Sequence, residues 1–157
     1  MTAEYRIATR EDFDYLWDRN MAENPGELMW PVWRERFRQR IDLGQAITFC
    51  VAIGGEPVGE GTLELATHKD PRLCDGRENA YLAALRIRRE FEGQGHISRL
   101  VRRMENHARE LGFRRITIGV EERDARNRAI YEHWGYGIPV MEVQEDEERV
   151  LYYAKVL

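Results

Sequence analysis

The chain has 157 residues, 43% hydrophobic and 33% charged, which fits one globular domain with a full core and lies far from the composition of disorder. Its 24 basic and 28 acidic residues are mixed along the chain and leave a net charge of −4, so no long-range positive field draws nucleic acid. No apolar run reaches transmembrane length, MTAEYRIATRED carries no signal-peptide pattern, and Cys50 and Cys74 have no metal-binding spacing, so the expectation is a cytoplasmic protein with reduced thiols, no membrane and no metal.

Tyr5 to Thr9 is a short β-prone run, and Thr9 ahead of Glu11 and Asp12 marks a helix start with acidic residues in its first turn. Phe13, Leu16, Trp17 and Met21 then recur at helical spacing until Asn24-Pro25-Gly26, and Val32, Trp33, Phe37 and Ile41 carry a second helix that stops at Gly44. Ala46 to Ile53 and Pro57 to Ala66 flank Gly54-Gly55 and read as a hairpin, followed by a polar loop over 67–79. Ala80 to Ile87 (AYLAALRI) has the continuous apolar character of a strand buried on both faces. Apolar residues at Ile97, Leu100, Val101, Met104, Ala108 and Leu111 make the clearest helix, stopped by Gly112. Phe113 to Val120 reads as a strand, Asp124 to Trp134 as a helix, and Tyr136 to Val143 and Val150 to Val156 as two last strands. The sum is a single α/β (α+β) domain over 1–157 with a mixed sheet of seven strands and four helices, in the order β-α-α-β-β-β-α-β-α-β-β.

Between the apolar strand and the clearest helix lies EFEGQGHISRL. A glycine turn there aims free backbone N–H groups outward at the positive end of a helix dipole, where an anion binds; the same glycines also serve a tight strand-to-helix connection. No Lys-Ser or Lys-Thr follows, which excludes a nucleotide-hydrolysing P-loop, and the third glycine of a dinucleotide fingerprint is missing.

The run ALRIRREFEGQGHISRLV, followed by DARNRAIYEHWGYG, resembles the GNAT acetyltransferases, through Ile87, Glu90, Phe91, Gly93, Gln94, Gly95 and Leu100 and then Tyr131, Glu132, Gly135 and Tyr136. The resemblance covers essentially the whole chain and implies a GNAT-like fold that binds acetyl-CoA as co-substrate. It implies an N-acetyltransferase that moves the acetyl group to a primary amine of a small molecule or peptide by direct attack. Leu85 and Ile87 would pair with the pantetheine arm, Gly93, Gln94, Gly95, His96, Ile97 and Ser98 would hold the pyrophosphate, and Asp124 stands where the family usually has Asn. Asp124 is equally a good helix N-cap. Glu92 and Ile97 depart from the family's turn, and these three departures motivate a second reading, a catalytically weak acyl-CoA-binding or sensor protein.

By the same resemblance Tyr131 is the acid for the departing thiolate, while helical periodicity alone makes it a packing aromatic. Tyr81 stands where some relatives carry a glutamate base, with Glu64, Glu60 and Glu78 as further base candidates. Trp17, Trp30, Trp33 and Tyr136 would wall the acceptor pocket, although Trp17 and Trp33 also have the spacing of core residues. The four histidines have no metal spacing, and the late strands offer an edge for a homodimer.

Overall fold

Local signals set most element ends. In the computed structural model, which describes residues 2–66 and 70–157, β1 (Ala3–Ile7) leads to Thr9, whose hydroxyl accepts from the Asp12 amide while the Asp12 carboxylate accepts from the Thr9 amide. This reciprocal cap starts α1 (Arg10–Glu23) where the sequence predicts a helix start. Pro31 occupies the first turn of α2 (Trp30–Asp42), where its missing N–H leaves nothing unpaired. Then follow β2 (Ala46–Ile53), β3 (Glu56–Glu64), β4 (Asn79–Ile87), a short 3-10 turn (Arg89–Phe91), α3 (His96–Glu110), β5 (Arg115–Glu121), α4 (Ala125–His133), β6 (Ile138–Glu145) and β7 (Glu148–Val156). The element order is the predicted one. Of the expected loop, 67–69 with His68 lie outside the described residues, and from 70 onward it is turns up to β4.

The strands form one mixed sheet in the order β1-β2-β3-β4-β5-β7-β6. β4 and β5 run parallel, with α3 as the crossover that a parallel pair requires, while β1 with β2, β5 with β7 and β6 with β7 pair antiparallel. Among the described residues no helix is long and apolar enough to cross a membrane. Cys50 and Cys74 are buried and unbridged, and burial first, then the neighbouring Asp12, pushes the Cys50 thiol up to about 12.

The chain forms two compact units that alternate in sequence: Met1–Leu63 with Ala84–Met104, and Glu64–Ala83 with Glu105–Leu157. In the first, Phe13, Leu16 and Trp17 of α1, Phe49 and Val51 of β2, and Leu100, Val101 and Met104 of α3 are buried. Trp17 is 2% exposed and its ring lies 5.5 Å from both Trp30 and Phe37, as its helical spacing predicts. Trp33 departs from that expectation: it is 36% exposed on a helix that buries no residue, with its ring against the edge of Trp30. The Arg86 guanidinium stacks over Trp17 and Trp30 at 5.1 and 4.9 Å and pairs with buried Glu60 at 3.1 Å.

In the second unit Phe113, Ile116, Ile118, Val120, Leu151 and Ala154 are buried. Tyr136 is buried with them; its hydroxyl donates to Glu105 Oε2 at 2.8 Å, and Lys155 Nζ donates to both Glu105 oxygens at 3.1 Å. A phenol 1% exposed and spent on a buried carboxylate is a packing element, so Tyr136 does not wall an acceptor pocket. Its amide donates to the Tyr131 carbonyl at 2.9 Å, which ties the end of α4 to this network.

Candidate active site

The glycine turn belongs to the first unit. Gly93 and Gly95 have φ of 74° and 81°, the left-handed region that glycine enters without strain. Between them and the first helical hydrogen bond, Arg99 N to Gly95 O at 3.1 Å, the amides of Gly93, Gln94, Gly95, His96, Ile97 and Ser98 have no partner among the described residues. A Cβ at Gly93 would meet nothing within 4 Å, so the backbone there is open to a ligand. The Arg99 guanidinium folds back over the turn, donating to the Gln94 carbonyl at 3.2 Å, and adds positive charge beside these amides.

Two side chains of the turn, His96 and Gln94, are engaged by the protein. His96 is 9% exposed and spends Nδ1 on the Tyr5 hydroxyl at 2.8 Å and Nε2 on Gln94 Oε1 at 3.3 Å, while Gln94 Nε2 donates to the Glu90 carbonyl at 3.4 Å. His96 and Gln94 therefore brace the loop and offer a ligand only their N–H groups. Glu92 is exposed and Ile97 half-buried. The residues present suit a polyanion held by backbone amides, with an arginine at one side.

Leu85 and Ile87 lie on β4 after an irregularity that the apolar run does not announce. The parallel ladder of β4 to β5 runs from Asn79 to Leu82, and Ala84 then has φ 57°. An alanine in the left-handed region costs about 1–2 kcal/mol, and such strain collects at functional positions. The kink re-aims the strand, so that Arg86 faces Glu60 while Leu85 packs toward Gly61.

The second unit holds the three residues predicted for proton transfer. Tyr131, on α4, has its phenol pushed up by burial and then by Asp124. Tyr81, on β4, is pushed up more strongly, by burial first and then by Tyr152, Glu64, Tyr131 and Glu145, so Tyr81, Tyr131 and Glu64 share one electrostatic neighbourhood. Glu64 is 2% exposed at the end of β3. Asp124 is the N-cap of α4, accepting from the Asn127 amide at 3.0 Å and from Asn127 Nδ2 at 2.8 Å. The other base candidates are engaged elsewhere: Glu60 accepts from Asn20 at 2.9 Å and from Arg86, and exposed Glu78 pairs with Arg115 at 3.2 Å.

Sequence reading misses Ala84 and Tyr152, which stands opposite Gly119 in the β5·β7 ladder. The one available signal for the last was a glycine inside an apolar strand, which marks a close approach.

A model of the acetyltransferase (GNAT) family matches residues 8–136. No curated protein gives a significant sequence match. Among solved structures, an aminoglycoside 6′-N-acetyltransferase complexed with coenzyme A is similar at 16% identity and TM-score 0.75, over 99% of this chain and 97% of that one. The ribosomal-protein-alanine N-acetyltransferase of Brucella melitensis is similar at 17% identity and TM-score 0.74, over 98% and 99% of the two chains. The PaiA N-acetyltransferase of Thermoplasma acidophilum, in complex with coenzyme A, is similar at 14% identity and TM-score 0.69 over 100% of both.

Proposed function

Because the chain belongs to the acetyltransferase (GNAT) family, we propose that it transfers the acetyl group of acetyl-CoA to the primary amine of a small molecule or peptide by direct attack. The observation that carries this reading is the run of six unpartnered amides from Gly93 to Ser98, flanked by Arg99, which suits the coenzyme A pyrophosphate. The thioester lies along β4 after its kink, where the backbone of Leu85 and Ile87 pairs with the pantetheine arm. A neutral amine attacks the carbonyl carbon, a C–N bond forms and the C–S bond breaks. Tyr131 gives its proton to the departing thiolate, and its raised affinity for that proton keeps the phenol neutral until then. The amine's surplus proton passes to the Glu64 carboxylate, with the neutral Tyr81 phenol relaying it. The whole chain, 1–157, acts as one acetyltransferase domain in this reading, since neither compact unit is continuous in sequence.

The competing reading, a weak acyl-CoA sensor, rests on Glu92, Ile97 and Asp124. Exposed Glu92 can turn to solvent and Asp124 spends both oxygens on its cap, so only Ile97 bears on the turn. Calorimetry with coenzyme A beside thiol release from acetyl-CoA over a panel of amines separates the two. We expect binding with transfer; binding without transfer to any amine favours the sensor, and no binding at micromolar coenzyme A removes both.

A further inference from the structure

An ion pair is buried beside the end of α4, in the second unit. Glu105 of α3 is 3% exposed and both its oxygens are taken: Oε2 accepts from the Tyr136 hydroxyl at 2.8 Å, and Lys155 Nζ of β7 donates to Oε1 and Oε2 at 3.1 Å. Lys155 Nζ also lies 5.8 Å from the centre of the Tyr136 ring. Replacing such a pair by apolar side chains of the same volume is often neutral or stabilising, so stability alone does not account for it. What a fully bonded buried pair supplies is a fixed arrangement of the elements that carry it.

Those elements meet where α4 stops. Gly135, at φ 101°, follows the C-cap Trp134; its amide donates to the Glu132 carbonyl at 2.9 Å, and the Tyr136 amide donates to the Tyr131 carbonyl at 2.9 Å. These two crossed bonds are the Schellman closure of a helix, and they make Tyr136 the residue whose backbone holds the turn that carries Tyr131. Gly135 has a second use: a Cβ there would meet Lys155 Cδ and Cε at 3.4 Å, so the lysine stem runs against the closure. Of the chain's 24 lysines and arginines only Lys69 and Lys155 are lysines. At 155 a narrow stem and a compact three-donor head suit Gly135 and the two carboxylate oxygens, where a planar guanidinium is broader. The Tyr131 ring in turn rests against Trp134, 5.6 Å away.

We propose that Lys155 and Glu105 are positioning residues for Tyr131: through the Tyr136 phenol they clamp the last turn of α4 and so fix where the Tyr131 hydroxyl points. They act through Tyr136 and touch no reacting atom. Without the clamp Tyr136 keeps its apolar burial but loses the bonds that fix its direction, and the closure it supplies to Tyr131 loosens with it. A general acid works only from a held position, and a displacement of about 1 Å costs up to about 10²-fold in rate. The catalytic consequence rests on the acetyl-transfer reading above, with Tyr131 as its acid; the clamp itself does not.

The test is a double-mutant cycle with a second, activity-independent measurement. Lys155→Met keeps the stem and removes the charge. In thiol release from acetyl-CoA with n-butylamine it lowers kcat about tenfold and leaves the KM for acetyl-CoA unchanged; in a Tyr131→Phe background it changes kcat by less than about twofold, because the group it positions is gone. Hydrogen exchange read by NMR speeds up about tenfold at the Gly135 and Tyr136 amides in Lys155→Met, while the amides of β5 keep their protection. Glu105→Gln combined with Lys155→Met leaves no unpaired buried charge, which guards against loss of the fold, and gives the same changes in kcat and exchange. Equal falls in kcat in the two backgrounds, or unchanged exchange at Gly135 and Tyr136, overturn the proposal. Normal turnover in Tyr131→Phe, or no thiol release by the unmodified protein, removes the acid reading and the catalytic half of the proposal with it; the exchange measurement then decides the clamp alone.

Discussion

The glycine turn in one compact unit and the tyrosine cluster in the other present opposite kinds of binding chemistry. At the turn the side chains are spent on the protein: His96 on Tyr5 and Gln94, Gln94 on Glu90, Arg99 on the Gln94 carbonyl. What remains open is backbone. In the cluster the backbone is spent on ladders from β4 to β5 and from β5 to β7, and what remains open is the hydroxyls of Tyr81, Tyr131 and Tyr152. A site made of amides depends on φ and ψ and is insensitive to most side-chain changes, whereas a site made of phenols is lost one oxygen at a time. The difference predicts which substitutions disturb affinity and which disturb turnover.

The largest effect belongs to the phenols. Tyr131→Phe removes one oxygen and leaves the ring against Trp134, 5.6 Å away. The expected result is a fall in kcat of about 10²–10⁴ with coenzyme A affinity retained, as for loss of a positioned general acid. Single-turnover kinetics beside calorimetry measure the two; unchanged turnover removes Tyr131 as the acid. The turn should respond the other way. Gly95→Ala forces an L-residue to φ 81° and brings a methyl within 3.4 Å of the Arg99 guanidinium, so coenzyme A binding weakens about tenfold, the equivalent of about 1–2 kcal/mol of strain, while kcat at saturation holds. A loss of kcat without a change in affinity would erase the distinction between the two regions.

The same distinction explains what could be read from the residues alone. A backbone site needs glycines, and glycines are visible, so EFEGQGHISRL stands out in the sequence itself. The element order was legible too, because the caps and breakers that set it are local: Thr9 with Asp12, Pro31, Gly54-Gly55 and Gly112. The left-handed turn of Ala84 was not, since nothing in AYLAALRI marks one alanine from its neighbours and the strain is imposed by tertiary structure. Tyr152 was not either: it stands opposite Gly119, a relation set by strand register across residues far apart in sequence. Trp33 had helical spacing yet stays 36% exposed, while Trp30 and Phe37 of the same helix meet Trp17.

Stability against pH offers a finer comparison, beginning with the second unit. Burial, then the Glu105 charge and the hydrogen bond to it, pushes the Tyr136 phenol far up, and burial also raises Tyr81, Tyr131 and Tyr152. A raised folded value means that the native state holds these protons when the unfolded chain has begun to release them, near pH 10. Their contribution is therefore full below about pH 10 and is lost as pH rises toward the folded values. Tyr136→Phe leaves Glu105 short of one donor and should lower stability at pH 7 by about 1–2 kcal/mol, while flattening the alkaline decline. Thermal unfolding from pH 7 to 11 measures both; an alkaline limb as steep as in the unmodified protein would place the titration in the other tyrosines.

Asp12 makes the corresponding case for the first unit, at the acid end and with the smallest effect. Burial alone would raise its carboxyl, but the Arg6 guanidinium and the amide and hydroxyl of Thr9 outweigh burial and hold it below the ordinary carboxylate range. A depressed folded value contributes stability that is present above the unfolded value, about pH 4, and is lost as pH falls through the folded one. Asp12→Asn keeps the shape of the cap but removes the charge, so it should cost about 1 kcal/mol at pH 7 and progressively less toward about pH 2, as the native carboxyl gains its proton. Denaturant unfolding at the two pH values decides it. An equal loss at both would mean that the cap acts through geometry, and the carboxylate's pairing with Arg6 would then add nothing to the stability of α1.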